Sequence, residues 1–196
     1  MVVMDVGDVL IRTIPMAHYQ ALAGLTGLPW EQVRAALESS GARLAFATGG
    51  LTEEGFATAA GNLLGCPGIG VDAVREAWNA LIANPDPVVC PITASLAGQD
   101  RLLLASNTDP FHWQLVAERL AAVGIDAPAH LSFNLGSLKP DHGFFSVLIA
   151  DPRVPPGTLY VDDRIENVEA AEAAGFKGWV HSSPGETAAM LAGELG

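Results

Sequence analysis

The chain has 196 residues, of which 49% are apolar and 16% charged, and its formal net charge is −12. This is the composition of a globular protein and not of a disordered one. The negative charge disfavours nucleic acid and anionic lipid as partners, and no apolar stretch approaches the roughly 20 residues that cross a bilayer. The N-terminus lacks the basic flank of a signal peptide, so we expect a cytoplasmic protein with no membrane partner. The composition carries no signal for the oligomeric state.

The first predicted element is a short strand. Residues 2–4 are apolar and lead directly into Asp5, which favours a strand buried on both faces. Helical patterns follow over residues 16–25, 29–37, 52–64 and 72–81. Four helices without an intervening strand predict a small helical bundle. Trp30 and Trp78 fall at core positions of that bundle.

From residue 92 the pattern changes to strands that alternate with helices. Strands are predicted over residues 101–105, 130–134, 158–161 and 178–181, and helices over residues 110–123, 142–150, 165–174 and 186–192. Such alternation implies right-handed crossovers and a parallel sheet. The predicted fold class is therefore α/β, with a Rossmann-like, parallel, five-stranded sheet flanked by helices. A catalytic core of residues 1–13 and 91–196 then carries a helical cap, residues 14–90, inserted after the first strand.

Polar residues follow four of the predicted strands, where ligands bind in parallel sheets. They are Asp5, Ser106, Asn107, Lys139, Asp162 and Asp163. An aspartate at a strand end can act as a nucleophile on a charge-neutralised phosphoester, and a lysine supplies the positive charge. A serine–asparagine pair offers donors to phosphoryl oxygens, and paired acids suit Mg²⁺. Asn167 lies one helical turn beyond Asp163 and can face the same metal.

These residues lie in four motifs, MDVGDVL, LASNT, LKPD and YVDDRIENVEAAEAAG, which occur in this order along the chain. Together they resemble the haloacid dehalogenase (HAD)-like hydrolase superfamily, in its capped phosphatase branch, over essentially the whole chain. The resemblance implies a phosphatase that uses Mg²⁺ and forms an aspartyl-phosphate intermediate. The expected partner is a small phosphorylated metabolite, such as a sugar phosphate.

The resemblance also implies a role for each motif residue. Asp5 would be the nucleophile and a metal ligand, with the backbone carbonyl of Gly7 as a second ligand and Asp163 as a direct carboxylate ligand. Asp162 and Asn167 would hold metal-bound water or ligate more loosely. Ser106 and Lys139 would grip the transferring phosphoryl group, and Asn107 would line the site. Arg12, close after the nucleophile loop, is a weak candidate for a phosphate contact.

One position departs from the family pattern. Most phosphatases of this kind carry a second aspartate two residues after the nucleophile as general acid and base, whereas this chain has Gly7. Some capped sugar-phosphatase-like members resemble it in having glycine there. Asp8 is the nearest replacement, and Asp109, His112 and His142 are weaker ones.

Alternatives to a phosphatase remain open at this stage. Dehalogenase members resemble the chain in lacking the second aspartate, but they generally lack the acidic metal pair. A catalytically weakened member that binds a ligand or partner is a further alternative, supported mainly by Gly7. In the predicted cap, Arg43 and Phe46 are weak candidates for substrate contacts.

Overall fold

The computed structural model describes residues 1–195 and shows an α/β fold with two sheets. The strands in this range are β1 (Val2–Met4), β2 (Ile11–Thr13), β3 (Ile82–Pro85), β4 (Leu102–Ser106), β5 (Ala129–Leu131), β6 (Leu159–Asp162) and β7 (Lys177–Val180). The helices are α1 (Ala17–Thr26), α2 (Trp30–Ser39), α3 (Ala42–Ala47), α4 (Glu53–Leu63), α5 (Val71–Asn79), α6 (Val89–Ala97), α7 (Pro110–Ala122), α8 (Ser132–Leu135), α9 (His142–Ala150), α10 (Ile165–Ala173) and α11 (Pro184–Leu195). None of the helices in residues 1–195 has both the length and the apolar character of a membrane span.

The larger sheet has the strand order β5–β4–β1–β6–β7, and all its neighbours pair in parallel. Its three central strands read VVM, LLLAS and LYVD and are buried throughout, as expected for strands covered by helices on both faces. The predicted parallel five-stranded sheet is confirmed.

Strand alternation sends side chains of the central strands into two separate hydrophobic clusters. Val2 and Met4 pack on one face with residues of α6, α7 and α11, while Val3 packs on the other face with residues of α9 and α10. The core thus holds β1 between two layers of helices. This arrangement fixes the position of Asp5, the residue that follows β1.

Helices α1 to α5, which we call the helical insert (residues 17–79), lie between β2 and β3. These two strands form a small antiparallel sheet. The insert has its own hydrophobic cluster, which contains Phe46, Phe56 and Trp78, and Phe111 of α7 completes it. The insert therefore packs directly against the N-terminal end of α7.

The structure differs from the predicted elements at several points. Residues 130–134 were predicted as one strand, but β5 ends at Leu131 and α8 begins at Ser132. The short helix α3, the helix α6 and the pair β2–β3 were not predicted. β2 is buried at one residue only, and β3 contains Pro85 and has no buried residue, so neither carries the apolar run of a buried strand.

Candidate active site

The parallel register brings three of the four motifs to one edge of the sheet. Met4 pairs with Leu104 on one side and with Val161 on the other, so the residues that follow β1, β4 and β6 leave the sheet together. The backbone N–H of Asp5 also donates to the carbonyl of Val161 at 2.8 Å. Asp5, Ser106 and Asp162 are all buried at this carboxyl edge.

Lys139 is the centre of the site. Its buried Nζ donates to Oδ1 of Asp5 at 2.7 Å, to Oδ2 of Asp162 at 2.9 Å and to the carbonyl of Ala105 at 2.8 Å. These three acceptors use all three ammonium hydrogens. Burial alone would lower the pKa of Lys139, but the carboxylates of Asp5 and Asp162 outweigh it and raise the pKa. Lys139 is therefore a fixed cation beside Asp5.

Asp162 is held from four sides. Its Oδ2 accepts from Lys139 and from the Tyr160 hydroxyl at 2.8 Å, and its Oδ1 accepts from the Asn167 amide at 2.9 Å and the Arg164 backbone N–H at 3.0 Å. A carboxylate has about four acceptor positions, so protein donors occupy them all. This geometry makes Asp162 first of all an anchor for Lys139.

Three carboxylates crowd the edge beside Lys139. One oxygen each from Asp5, Asp162 and Asp163 lies within 4.8 Å of the others. Burial raises the pKa of Asp5 to about 7, because desolvation and the charge of Asp162 outweigh the attraction of Lys139. Burial, followed by the charges of Asp162 and Asp8, also raises the pKa of Asp163.

A hard divalent cation fits this donor set, because carboxylate oxygens are the ligands that Mg²⁺ prefers and its charge would offset their mutual repulsion. Asn167 lies beside the cluster, and its buried Oδ1 has no hydrogen-bond partner among the described residues. Gly7 lies in the turn after Asp5, where the backbone bridges to Ile11. Of the residues predicted to hold a metal, Asp5, Asp162 and Asp163 thus bring one oxygen each to the same place, and Asn167 bonds Asp162.

Asn107 joins two of the motif loops. Its Nδ2 donates to the carbonyl of Lys139 at 2.8 Å, and its Oδ1 accepts from the backbone N–H of Lys139 at 2.8 Å. A second reciprocal pair links Thr108 to Ser132, with distances of 2.9 and 2.8 Å. Sequence reasoning assigned no role to Ser132, which lies outside the motifs, or to Tyr160, which begins the fourth motif, because the partner of a single hydroxyl depends on side-chain directions that the sequence does not specify.

A cleft of about 590 Å³ opens between this edge and the helical insert. The core contributes Asn107, Asp109, His112, Lys139 and Arg164 to its lining, and the insert contributes His18, Glu38, Arg43 and Trp78. A larger but more open groove of about 700 Å³ lies beside Trp179 and Met190 and touches none of the motif residues. The cleft is therefore the place where a substrate can reach Lys139.

Several weaker candidates lie outside the cleft. Arg12 is exposed and pairs with Asp86 at 3.1 Å, so the structure gives no support to a phosphate contact. Phe46 is buried in the insert and stacks on Phe56. The Asp8 carboxylate accepts from the Thr13 backbone N–H and hydroxyl at 2.8 Å each. His142 is exposed and bonds Ser146 within α9 at 3.0 Å.

Comparison with known proteins supports the assignment made from the motifs. No protein-family model matches the chain. A curated relative, the D-ribitol-5-phosphate phosphatase of Bacteroides thetaiotaomicron, is 27% identical over 136 residues. The match covers 66% of this chain and 66% of the relative, slightly less than two thirds of its length.

Solved structures show the same fold over nearly the whole chain. A predicted HAD-like family hydrolase from Porphyromonas gingivalis has a TM-score of 0.82 at 24% identity, covering 99% of this chain and 96% of that chain. A HAD-family enzyme from Bacteroides thetaiotaomicron, in complex with magnesium and inorganic phosphate, has a TM-score of 0.80 at 19% identity, covering 91% and 92%. The chain thus has the fold of these HAD-family enzymes.

Proposed function

We propose that the chain is a magnesium-dependent phosphomonoesterase that attacks small phosphate esters with Asp5. The observation that carries this proposal is the contact of one buried cation, Lys139, with both Asp5 and Asp162, beside the third carboxylate, Asp163. A nucleophile, a fixed positive charge and a metal-binding set of acids then lie within one site.

In the proposed reaction, Lys139 holds Oδ1 of Asp5 and leaves Oδ2 to attack phosphorus. The bond from Oδ2 to phosphorus forms as the bond to the ester oxygen breaks, and water then releases phosphate from the aspartyl-phosphate. Bound by Asp5, Asp163 and the Gly7 carbonyl, magnesium would supply positive charge for the phosphoryl oxygens. Asp162 and Asn167 would steady that set, and Ser106 would donate to the phosphoryl group.

The proton for the departing alkoxide has no assigned donor. Gly7 has no side chain, and Asp8 and His142 are each bonded to a residue of their own segment. Asp109 and His112 line the cleft, but they are bonded to each other. Asp5 is thus the proposed attacking group. The leaving group takes its proton from a side chain or from water.

The cleft favours a small polar leaving group. Glu38, Arg43 and His18 of the helical insert offer both donors and acceptors opposite Lys139. The similarity to a D-ribitol-5-phosphate phosphatase makes sugar and sugar-alcohol phosphates the first class to test. We propose that the insert, within residues 14–90, is a cap that covers the site and reads the leaving group.

The test is phosphate release from a panel of metabolite phosphates, including D-ribitol 5-phosphate, with and without Mg²⁺. Wild-type protein should release phosphate only with a divalent metal, Asp5→Asn should abolish release, and Asp126→Asn, a matched change at an exposed aspartate, should not. Silence of the wild type across the panel with several metals would contradict the proposal. Metal-independent halide release from a haloacid would favour the dehalogenase alternative.

A further inference from the structure

Three residues form a closed hydrogen-bonded set that joins the helical insert to the core. Asp109 is the N-cap of α7, and its Oδ1 accepts from the His112 backbone N–H at 3.0 Å. Its Oδ2 accepts from the Trp78 indole N–H at 2.9 Å and lies 2.8 Å from Nδ1 of His112. Nε2 of His112 lies 2.9 Å from the backbone carbonyl of Trp78. Trp78 belongs to α5 of the insert, and the two other residues belong to α7 of the core.

The partners of His112 decide its charge. Both ring nitrogens face oxygens that only accept hydrogen bonds, namely a carboxylate and a peptide carbonyl. A neutral imidazole has one N–H, whereas an imidazolium has two. A neutral ring would leave one buried nitrogen facing an acceptor with no hydrogen between them, which is costly.

The position of the Trp78 carbonyl favours the same charge state. It lies in the last turn of α5, where the helix dipole attracts a cation, and it also accepts from the backbone N–H of Leu81 at 3.4 Å. The ring of His112 also stacks on the Trp78 indole, with centroids 5.6 Å apart at an interplanar angle of 15°. Two contacts, the hydrogen bond to the Trp78 carbonyl and the stack on the Trp78 indole, therefore tie this histidine to α5.

We propose that charged His112 is a positioning residue that latches the helical insert onto the start of α7, and that loss of its proton releases the insert from the cleft. Asp109 of the latch directly follows Ser106-Asn107-Thr108, so the latch is continuous with the loop that carries Asn107. Its effect on catalysis rests on the proposed phosphatase function, but its effect on the insert does not.

The charged groups that face His112 support this assignment. Burial alone would lower the pKa of His112, but Asp109 and the Trp78 carbonyl outweigh burial and the opposing charge of Arg43 on α3, and raise it. His18 on α1 remains neutral, because burial, and then His112 and Arg43, lower its pKa to about 4. Arg75 of α5 lies over the ring of Phe111, 5.1 Å from its centroid, and pairs with Glu53 and Asp72. His112 is thus the charged member of the two histidines in the cleft.

The sign of the pH dependence follows from the raised pKa. A group that binds its proton more tightly in the folded state stabilises that state below its unfolded pKa, near 6.5 for histidine, and loses this effect as pH rises through the folded value. The latch should therefore hold below about pH 6.5 and loosen as the pH rises through the raised pKa of His112.

The charge of His112 is tested on the full-length wild-type protein by an NMR titration of labelled histidines, with the His112 signal assigned by its absence from His112→Gln. We expect the His112 ring to titrate above pH 6.5, the ordinary value for histidine, and to be an imidazolium at pH 6. A His112 that titrates at or below pH 6.5 would overturn the proposal. This measurement needs no enzymatic activity and does not depend on the folding of any variant beyond the signal assignment.

The latch itself is tested by hydrogen exchange of the amides that follow α5, Ala80 and Leu81. Wild type and His112→Gln are compared at the same pH, so the intrinsic exchange rates of these amides cancel in the ratio of the two proteins. At pH 6 we expect roughly tenfold faster exchange in the variant, in line with loss of a hydrogen bond to a charged group, and a ratio near one at alkaline pH. His130→Gln is a matched change at a histidine bonded to Asp151, and it should leave the exchange rates of Ala80 and Leu81 unchanged. Equal exchange at pH 6 in wild type and His112→Gln would overturn the latch.

If the protein proves to be a phosphatase, the pH profile of kcat/KM adds a third result. Wild type should lose activity on the alkaline side, and His112→Gln should be flat there. If no substrate is found, the NMR and exchange results still stand, so failure of the proposed function is distinguishable from failure of the latch.

Discussion

At the residue scale, the properties of the site follow from the burial of charge. Lys139, Asp5 and Asp162 are almost fully buried, so each depends on the others for its ionised form. Asp162 uses its oxygens on protein donors, while Asp163 is only partly buried. This difference gives the two adjacent acids different tasks, one as an anchor and the other as the more accessible metal ligand.

Removing the cation should damage both stability and activity. Lys139→Met leaves two buried carboxylates unpaired, which we expect to cost about 3–5 kcal/mol in the free energy of unfolding without metal. The loss of its charge should lower kcat by about 10²–10³-fold or more. Urea unfolding and phosphate-release kinetics measure these effects. Lys177→Met, at an exposed lysine, is the matched control. Equal losses of stability and kcat in that variant would contradict a special role for Lys139.

Gly7 offers a test of the missing general acid. A Cβ added at Gly7 would meet no atom within 4 Å, and its φ lies outside the left-handed region, so an aspartate can be accommodated. If leaving-group protonation limits the rate, Gly7→Asp should raise kcat by up to about 10²-fold, within the usual range of general acid catalysis. An unchanged or lower kcat for a poor leaving group would show that proton donation at this position does not limit the reaction.

Metal binding should depend on pH. Because burial raises the pKa of Asp5 to about 7, the metal-free site holds a proton over part of the range below pH 7, and a cation must displace it. We therefore expect Mg²⁺ affinity to fall as pH falls from 8 to 6, with proton release on binding. Calorimetry in buffers of different ionisation enthalpy measures both. Pure pH independence would mean that Asp5 is already ionised in the free protein.

At the scale of elements, the loops after the strands are joined to one another and not only to the sheet. The Asn107 amide ties the loop after β4 to the segment that carries Lys139, with two bonds of 2.8 Å. Asn107→Ala should therefore cost about 1–3 kcal/mol in unfolding free energy and lower kcat by misplacing Lys139. An increase in KM with unchanged kcat would instead indicate that Asn107 contacts the substrate directly. Matched measurements on Asn62→Ala, an exposed asparagine, serve as the control.

The same scale shows what the sequence can predict. The helices α7, α9 and α10 and the buried strands β1, β4 and β6 carry clear apolar patterns, and their predicted positions agree with the structure to within about two residues. The pair β2–β3 is defined by its pairing and by the contact of Arg119 with the Ile82 carbonyl at 2.9 Å, neither of which leaves a local pattern. α3 is only six residues long and lies between two glycines, so it also escaped prediction.

In the candidate site, the sequence likewise predicts some features and not others. The motif residues Asp5, Lys139, Asp162 and Asp163 were expected together because the ends of parallel strands meet at one edge. The bonds that connect them depend on side-chain directions that one sequence does not specify. For this reason the saturation of Asp162, the turn of Asp8 toward Thr13 and the pairing of Arg12 with Asp86 appear only in the structure.

At the scale of the whole molecule, a strongly acidic protein places three of its ten Lys and Arg residues around the cleft. The net charge is −12, yet the cleft contains Lys139, Arg43 and Arg164. The helical insert lines one side of this cleft and shares its hydrophobic cluster with α7 through Phe111. Substrate access should therefore depend on how the insert packs against α7, which is the contact where Trp78, Asp109 and His112 meet.

The central claim is that Asp5 carries the phosphoryl group during turnover. The most direct measurement is an acid quench of the enzyme with Mg²⁺ and its best phosphate ester, followed by mass spectrometry of the N-terminal peptide. We predict one phosphoryl group on Asp5 in the wild type, and none in Asp5→Asn. Phosphate release by an enzyme whose Asp5 never becomes labelled, under conditions where the first turnover is captured, would contradict the account.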